Sequence, residues 1–432
     1  MCVIKKLLLS IIGIIALLII LMFIWLIFIF NPNDYKAWIN SKINNDPNIH
    51  IMLNGVLDFS LKSMQLNAKE VAINAQNGTF NSHWQNATIK INPLDFFIHP
   101  SNPFESLTLQ NGEISAAHQQ FKASLLNIIE KHQRYSVSTE LTNDVKQLNI
   151  QLTLTPHTNS TEITDLSIQT VLNNLPVCLK VPSIYLNNNN MLNNIDNIRL
   201  KINDQLLMGN MSQIILKPKL SFKGQFTAPH LALAQIINLN GFKVNLDSFA
   251  LDFALSHNDS AAKADISINA QSANLIGIDL NAIASSTHNL LSAVDQGDGI
   301  GSAFQTLKSQ LLPLLAKDKL VADPNKSTQL KQLSIQSHID NNQLKTTSIN
   351  WQAPEFTVTG SGQANLSTHE LNYPLSIHIK GTPSLTIPYS LNYQDKQFTA
   401  AINQAQLQKN LQPIIEKALT NALNNKLGSF FR

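Results

Sequence analysis

The stretch LNYPLSIHI (371–379) alternates: Leu371, Tyr373, Leu375, Ile377 and Ile379 are apolar, and Asn372, Pro374, Ser376 and His378 sit between them. The same period of two returns in LTIPYSLNY, where Leu385, Ile387, Tyr389, Leu391 and Tyr393 carry the apolar phase. A strand points successive side chains to opposite faces, so each of these segments is a half-buried strand with one wet and one greasy face. Related segments recur at ATIKIN (87–92), LNIQLTLT (148–155), KADISINAQ (263–271), LSIQSHI (333–339) and SINWQAPEFTVTG (348–360), and Gly381-Thr382-Pro383 reads as a turn. Strands follow one another at roughly 8–12 residues, which favours antiparallel meanders over crossover connections. The fold class expected from this pattern is mainly β.

Such a chain has a covering problem. About twenty strands, each with two or three apolar side chains worth ~1.5–3 kcal/mol, present on the order of a hundred kcal/mol of burial that some other layer must complete. Either a second sheet does so, in a sandwich or barrel, or a long antiparallel sheet curls into a trough whose lining is partly filled by something other than protein. A lipid tail fits the second case, since ~16 methylenes at ~0.8 kcal/mol each give up to ~12 kcal/mol of transfer free energy. Alternation leaves both architectures open.

Helical spacing interrupts the strands in a few places. LALAQIINL (231–239), DLNAIASSTHNLLSAV (279–294) and GSAFQTLKSQLLPLLAK (301–317, bent at Pro313) carry it. In the last segment, Leu411, Ile414, Ile415, Ala418, Leu419, Ala422, Leu423, Leu427, Phe430 and Phe431 make a broad apolar face, giving a C-terminal amphipathic helix over 409–432. That helix either caps the last strands or binds a membrane or partner.

At the other end, residues 7–30 form an uncharged run in which only Ser10 and Gly13 are not hydrophobic. As a helix it spans ~36 Å, enough to cross a hydrocarbon core of ~30 Å with some tilt. Trp25, Phe28, Ile29 and Phe30 stand where a signal peptide has small residues, so the run reads as an uncleaved anchor. Lys5 and Lys6 before it balance Lys36 and Lys42 after it, and the residues alone do not fix its orientation. The segment 31–45 opens at Asn31-Pro32-Asn33-Asp34 and spaces Tyr35, Trp38, Ile39, Lys42 and Ile43 on one stripe. Tyr35 and Trp38 suit the headgroup level, so this juxtamembrane helix either lies on the membrane surface or caps the first strands.

Charged residues are only 14% of the chain and the net charge is +3, which argues against a nucleic-acid partner. Cys2 and Cys178 supply neither a disulfide framework nor a zinc cluster. The 12 histidines are scattered, and no H-E-x-x-H, G-x-S-x-G or G-x-x-x-x-G-K-[ST] motif occurs. DQGDGIG (295–301) lacks the order of a calcium loop and reads as a joint between helices. No cofactor, metal or enzymatic activity is expected.

Several longer stretches carry a family resemblance. The membrane run followed by FNPNDYKAWI (30–39) and LNGVLDFSL (53–61) resembles the opening of the AsmA family of bacterial envelope proteins, as does NATIKINPLDFFIHPSNPFESLTLQNGEI (86–114). IGIDLNAI (276–283) and INWQAPEFTVTGSGQANLSTHELNYPLSIHIKGTP (349–383), with Gly360-Ser361-Gly362 ahead of Leu371-Asn372-Tyr373, are similar to the family's C-terminal region. The resemblance covers about 30–115 and 270–432; the chain is shorter than many members, and its middle is unusually rich in Asn.

The resemblance implies a single-pass protein of the bacterial inner membrane: a cytoplasmic stub (1–6), a transmembrane helix (7–30), the juxtamembrane helix and a periplasmic β-groove over 46–408. It also implies carriage of phospholipid along the groove toward the outer membrane. At ~4.8 Å per strand, ~20 strands reach ~100 Å, so a short member needs an envelope partner to complete a bridge. The groove lining is then expected at Leu371, Tyr373, Leu375, Ile377, Ile379, Leu385, Ile387, Tyr389 and Leu391. The family equally suggests an accessory factor in outer-membrane protein assembly that acts through protein partners.

Overall fold

The structure is a computed structural model that describes residues 31–43, 49–60, 63–75, 80–92, 104–116, 119–143, 147–158, 160–172, 174–187, 191–192, 194–215, 219–237, 241–258, 261–296, 322–368, 370–381, 384–394 and 397–430. The apolar run 7–30, the segment 301–317 and most of the 295–301 joint lie outside the described residues. Among the described residues no helix is long and apolar enough to cross a membrane.

The chain is mainly β, and its described strands pair antiparallel. It divides into two units, residues 1–174 with 178–183 and residues 175–177 with 184–432. The first unit holds β1 (Ile49–Leu53), β2 (Leu57–Ser60), β3 (Gln65–Ala75), β4 (Phe80–Ile91), β5 (Phe104–Ala116), β6 (Gln119–Lys131), β7 (Arg134–Thr142), β8 (Gln147–Pro156) and β9 (Ser160–Leu172). The division runs through β10 (Leu175–Asn187). The second unit continues with β11 (Met191–Leu192), β12 (Ile195–Ile202), β13 (Gln205–Ile215), β14 (Leu220–Ala232), β15 (Lys243–Asn258), β16 (Ala261–Gly277), β17 (Asp323–Asp340), β18 (Gln343–Gln352), β19 (Phe356–Asn365), β20 (Glu370–Ile379), β21 (Leu385–Gln394) and β22 (Gln397–Ile402). Its helices are α2 (Leu280–Gln296) and α3 (Gln404–Phe430); α1 (Lys36–Ile43) belongs to the first unit.

Most described pairings step from one strand to its successor, the pattern of an open meander; the exceptions include β1, which pairs with β3 along the edge it shares with β2, and the short β11, which pairs with β13 as well as β10. The periodic segments at 87–92, 148–155, 263–271, 333–339, 371–379 and 385–393 all fall within strands. SINWQAPEFTVTG spans two strands, β18 and β19, because the backbone turns at Ala353 and Ala353 N–H donates to Phe356 O (2.8 Å). Over its described residues, 231–237, the 231–239 stretch is not an α-helix: Leu231 and Ala232 end β14, and Leu233–Gln235 form a single 3-10 turn. Apolar residues there at helical spacing are equally consistent with a strand end followed by a turn, and pairing with β15 decides it. α2 covers the expected 279–294 segment, and α3 begins at Gln404, ahead of the expected 409.

Strict alternation is broken by paired outward residues. Glu70, Asn111, Asp165, Asn197, Gln213, Ser248 and Gln332 all have φ between 50° and 58° inside strands. Around them the buried positions step by three: Ala68 and Val71, Leu109 and Gly112, Ile195 and Ile198, Leu246 and Phe249, Leu330 and Leu333. At Asp165, Asn197, Gln213 and Gln332 the register shifts by one residue against a neighbouring strand, a bulge that increases local twist, whereas at Glu70, Asn111 and Ser248 the register with the adjoining long strands runs on unbroken and both strands make the step together. The sequence sign is an apolar–polar–polar–apolar step, as in Ala68-Lys69-Glu70-Val71.

In the first unit, Leu53, Leu57, Ala68, Val71, Trp84, Ala87, Leu109 and Ala123 form a buried cluster on one face of β1–β6. Trp84 lies flat over Gly112, its cross-strand partner, where a Cβ would sit 2.3 Å from the indole. Its Nε1 donates to Ser82 Oγ (3.1 Å), which leaves the ring satisfied inside the cluster.

The segment preceding β1 caps the free edge of β1 and β2. Asn33 Nδ2 donates to Leu57 O and Asn33 Oδ1 accepts Leu57 N–H, both at 2.8 Å, so one side-chain amide mimics a strand partner. Lys36 Nζ donates to the carbonyls of Asn54 (2.5 Å) and Gly55 (2.8 Å), and Asn40 Oδ1 accepts Leu53 N–H (3.1 Å). These bonds hold the segment against the first strands and block an edge that could otherwise recruit another strand. The side chains of Tyr35 and Trp38 lie outside the described set. Asn33→Ala is expected to cost about 1–2 kcal/mol and to accelerate amide exchange at Leu57, measured by hydrogen exchange.

Candidate functional site

The apolar face of the second unit is organised in rows that run from strand to strand. One row joins Leu231, Leu246, Ala273 and Leu330, and continues at Ala353, Phe356, Ile379 and Leu385. None of these eight residues is more than 3% exposed. The cover comes from α2 and α3, which pack on β17, β20 and β21 with Ala284, Leu407 and Ile414 buried.

Polar contacts fix this cover. Asp279 Oδ1 accepts the Ala282 N–H (2.8 Å) and caps α2. Thr328, fully buried in β17, donates to Ile278 O (2.7 Å) and accepts the Leu280 N–H (2.8 Å). Asn410 Nδ2 on α3 donates to Thr386 O on β21 (2.7 Å).

Four to five residues further along each strand, past a second mostly buried row, the lining opens in a row that crosses eleven strands. Ile198, Gly209, Phe226, Leu251, Ile268, Ile335, Ile349, Gly360, Leu375, Tyr389 and Ile402 are successive register partners from β12 to β22. From Leu251 to Ile402 its members are half-buried. The row beyond contains Phe253, Ile266, Ser337, Thr346, Gly362, Tyr373 and Leu391, again half-buried except for Thr346. The apolar face thus grades from a sealed margin under two helices to a partly solvated lining.

The expected lining residues divide along this gradient. Ile379, Leu385 and Ile387 are buried beside the helical cover, whereas Leu371, Tyr373, Leu375, Ile377, Tyr389 and Leu391 are half-buried. All nine keep one phase through the registers Leu371↔Tyr393, Tyr373↔Leu391, Leu375↔Tyr389, Ile377↔Ile387 and Ile379↔Leu385. Sequence reading missed their partners on β14–β18, among them Leu251, Phe253, Ile268, Ile335 and Ile349, although each stands in an alternating segment.

Glycines are a second missed signal. On this face Gly209 lies under Phe226, Gly224 under Phe253, Gly360 under Leu375 and Gly362 under Tyr373, and a Cβ would come within 2.6 Å of the overlying side chain in every case. A strand glycine in the apolar phase marks where a neighbouring large side chain lies down across the backbone. The Tyr373 ring in this way reaches across Gly362 to β18, where its OH is 2.7 Å from Thr346 Oγ1; Thr346 Oγ1 is in turn 2.9 Å from Ser337 Oγ.

Burial pushes the Tyr389 phenol from its ordinary 10.0 up to about 12. The folded chain favours the neutral phenol, so Tyr389 adds no pH dependence below pH 10 and opposes folding as pH rises from 10.0 toward about 12. Comparing ultraviolet titrations of the native protein and Tyr389→Phe is expected to show one tyrosinate component appearing near 12.

The opposite face is polar. Hydrogen bonds from His230 (2.8 Å) and then Ser272 (2.8 Å) hold the Asp247 carboxyl below its usual range. The carboxylate stands between the other two groups, so Ser272 has no imidazole to take its proton and the order is not that of a hydrolytic triad. His338 pairs with Asp265 (2.7 Å) and Gln225 with Asp252 (2.7 Å) along a solvent-open depression of about 700 Å³. These groups satisfy one another. Among the described residues no three His, Cys, Asp or Glu side chains converge as a metal site. Compared with known proteins, the chain matches no family model, no curated protein and no solved structure.

Proposed function

We propose that this protein is a non-enzymatic lipid carrier: acyl chains of phospholipid lie on the half-buried lining of the second unit while headgroups stay in water. The N-terminal run holds the domain at the bacterial inner membrane, on the periplasmic side, and the curled sheet lowers the barrier to moving phospholipid outward. The observation that carries this reading is the graded face, in which the row from Leu251 to Ile402 stays half-buried although its sequence is that of a core. Continuous half-exposed apolar rows are where a partner of apolar chemistry gains most, at roughly 25 cal/mol per Å² removed from water. The resemblance to the AsmA family at 30–115 and 270–432 points the same way.

The test is the full chain extracted in a mild detergent and analysed by mass spectrometry. Phospholipid bound in stoichiometric amounts supports the carrier. A lipid-free protein that retains a stable envelope-protein partner supports the accessory reading instead.

A further inference from the structure

Within the apolar lining, Ser337, Thr346 and Tyr373 place three hydroxyls in a chain, with separations of 2.9 Å and 2.7 Å. Three hydroxyls bring three protons, and the two bonds between them use two. The third proton is left over whichever way the chain is polarised, and among the described residues no fourth group accepts it. In register beside it on the apolar face stand Phe253, Ile266 and Leu391, which offer no acceptor in their side chains, while Ser337 also borders the solvent-open depression. A donor held in such surroundings favours a ligand that brings an oxygen on an otherwise apolar body.

We infer that the Ser337–Thr346–Tyr373 chain is a subsite for the ester carbonyl of an acyl lipid, with the acyl chain on the Leu375 and Ile377 side. This rests on the lipid-carrier reading and adds what the lining recognises. The dimensions agree. From half-buried Ile377 to Tyr373 is four residues along β20, about 13 Å at ~3.3 Å per residue, and one acyl chain fills about half of a ~30 Å hydrocarbon core. A chain whose methyl end lies toward the α2–α3 cover therefore brings its carbonyl to the hydroxyls. The phosphate lies beyond, toward Leu371 and solvent. Gly362 is part of the device, because a Cβ there would stand 2.6 Å from the Tyr373 ring and push its hydroxyl off Thr346.

The test offers the full chain an equimolar detergent mixture of dipalmitoyl phosphatidylglycerol and its dihexadecyl ether counterpart, which share headgroup and chain length. Bound lipid is then counted by mass spectrometry. The native protein is expected to enrich the diester by about fivefold, the worth of one hydrogen bond. The triple variant Ser337→Ala, Thr346→Val, Tyr373→Phe is expected to bind as much total lipid with the enrichment gone. Equal binding of ester and ether by the native protein overturns the subsite and leaves the carrier reading standing, a result that needs no variant to fold. Enrichment that survives in the triple variant also overturns it. Failure of the native protein to bind either lipid overturns the carrier reading and the subsite together.

Discussion

Phe356→Ala is expected to destabilise the second unit by about 3–5 kcal/mol, whereas Leu375→Ala, on the neighbouring strand, costs about 1 kcal/mol. Phe356 is fully buried in the sealed row, so its truncation leaves a cavity that Leu330, Ile379 and Leu385 of the same row cannot fill without moving. Leu375 is half-buried and already in partial contact with water, so its loss removes apolar contact and creates no closed void. The two residues stand on paired strands, and the difference measures the gradient itself. Chemical denaturation with hydrogen exchange on β19 and β20 reads both. Similar costs at the two sites would mean that the lining is an ordinary core throughout.

The second large effect concerns ligand. Leu251→Glu combined with Leu375→Glu places two carboxylates in the half-buried row, one on β15 and one on β20. Each removes an apolar contact worth ~1.5 kcal/mol or more to a bound chain, and every ~1.4 kcal/mol is tenfold in affinity. Lipid occupancy is expected to fall at least a hundredfold, with the fold retained because both positions reach water. Asn350→Glu, on the exposed side of the strand beside Ile349, is expected to leave occupancy unchanged and controls for charge alone. Loss of lipid in that control would trace the effect to charge and not to the lining.

Strand phase was legible in the sequence wherever alternation was clean. Leu371 to Ile379 and Leu385 to Tyr393 pair in one phase, as their period of two requires. Alternation specifies a face and is silent on what covers it, so the sealed Ile379 and the half-open Leu375 look alike in sequence and are separated only by where α2 and α3 pack. Bulges hid other strands: Lys331-Gln332 between Leu330 and Leu333 breaks the period of two while preserving the face. The hydroxyl chain was invisible because Ser337, Thr346 and Tyr373 come from three strands and meet only through register and the absent side chain of Gly362. Asn33, by contrast, lies in a stretch whose turn chemistry was legible, but its pairing with Leu57 depends on a strand edge 24 residues away.

Site-specific photo-crosslinking tests the central claim most directly. A photoreactive residue placed at Leu375 or Leu251 in the full chain is irradiated in intact cells, with Leu385 as the sealed comparison and Asn350 as the outer-face comparison. The account predicts phospholipid adducts at Leu375 and Leu251 and none at the two comparison sites. Adducts equally frequent at Asn350, or none at Leu375 and Leu251, would contradict it.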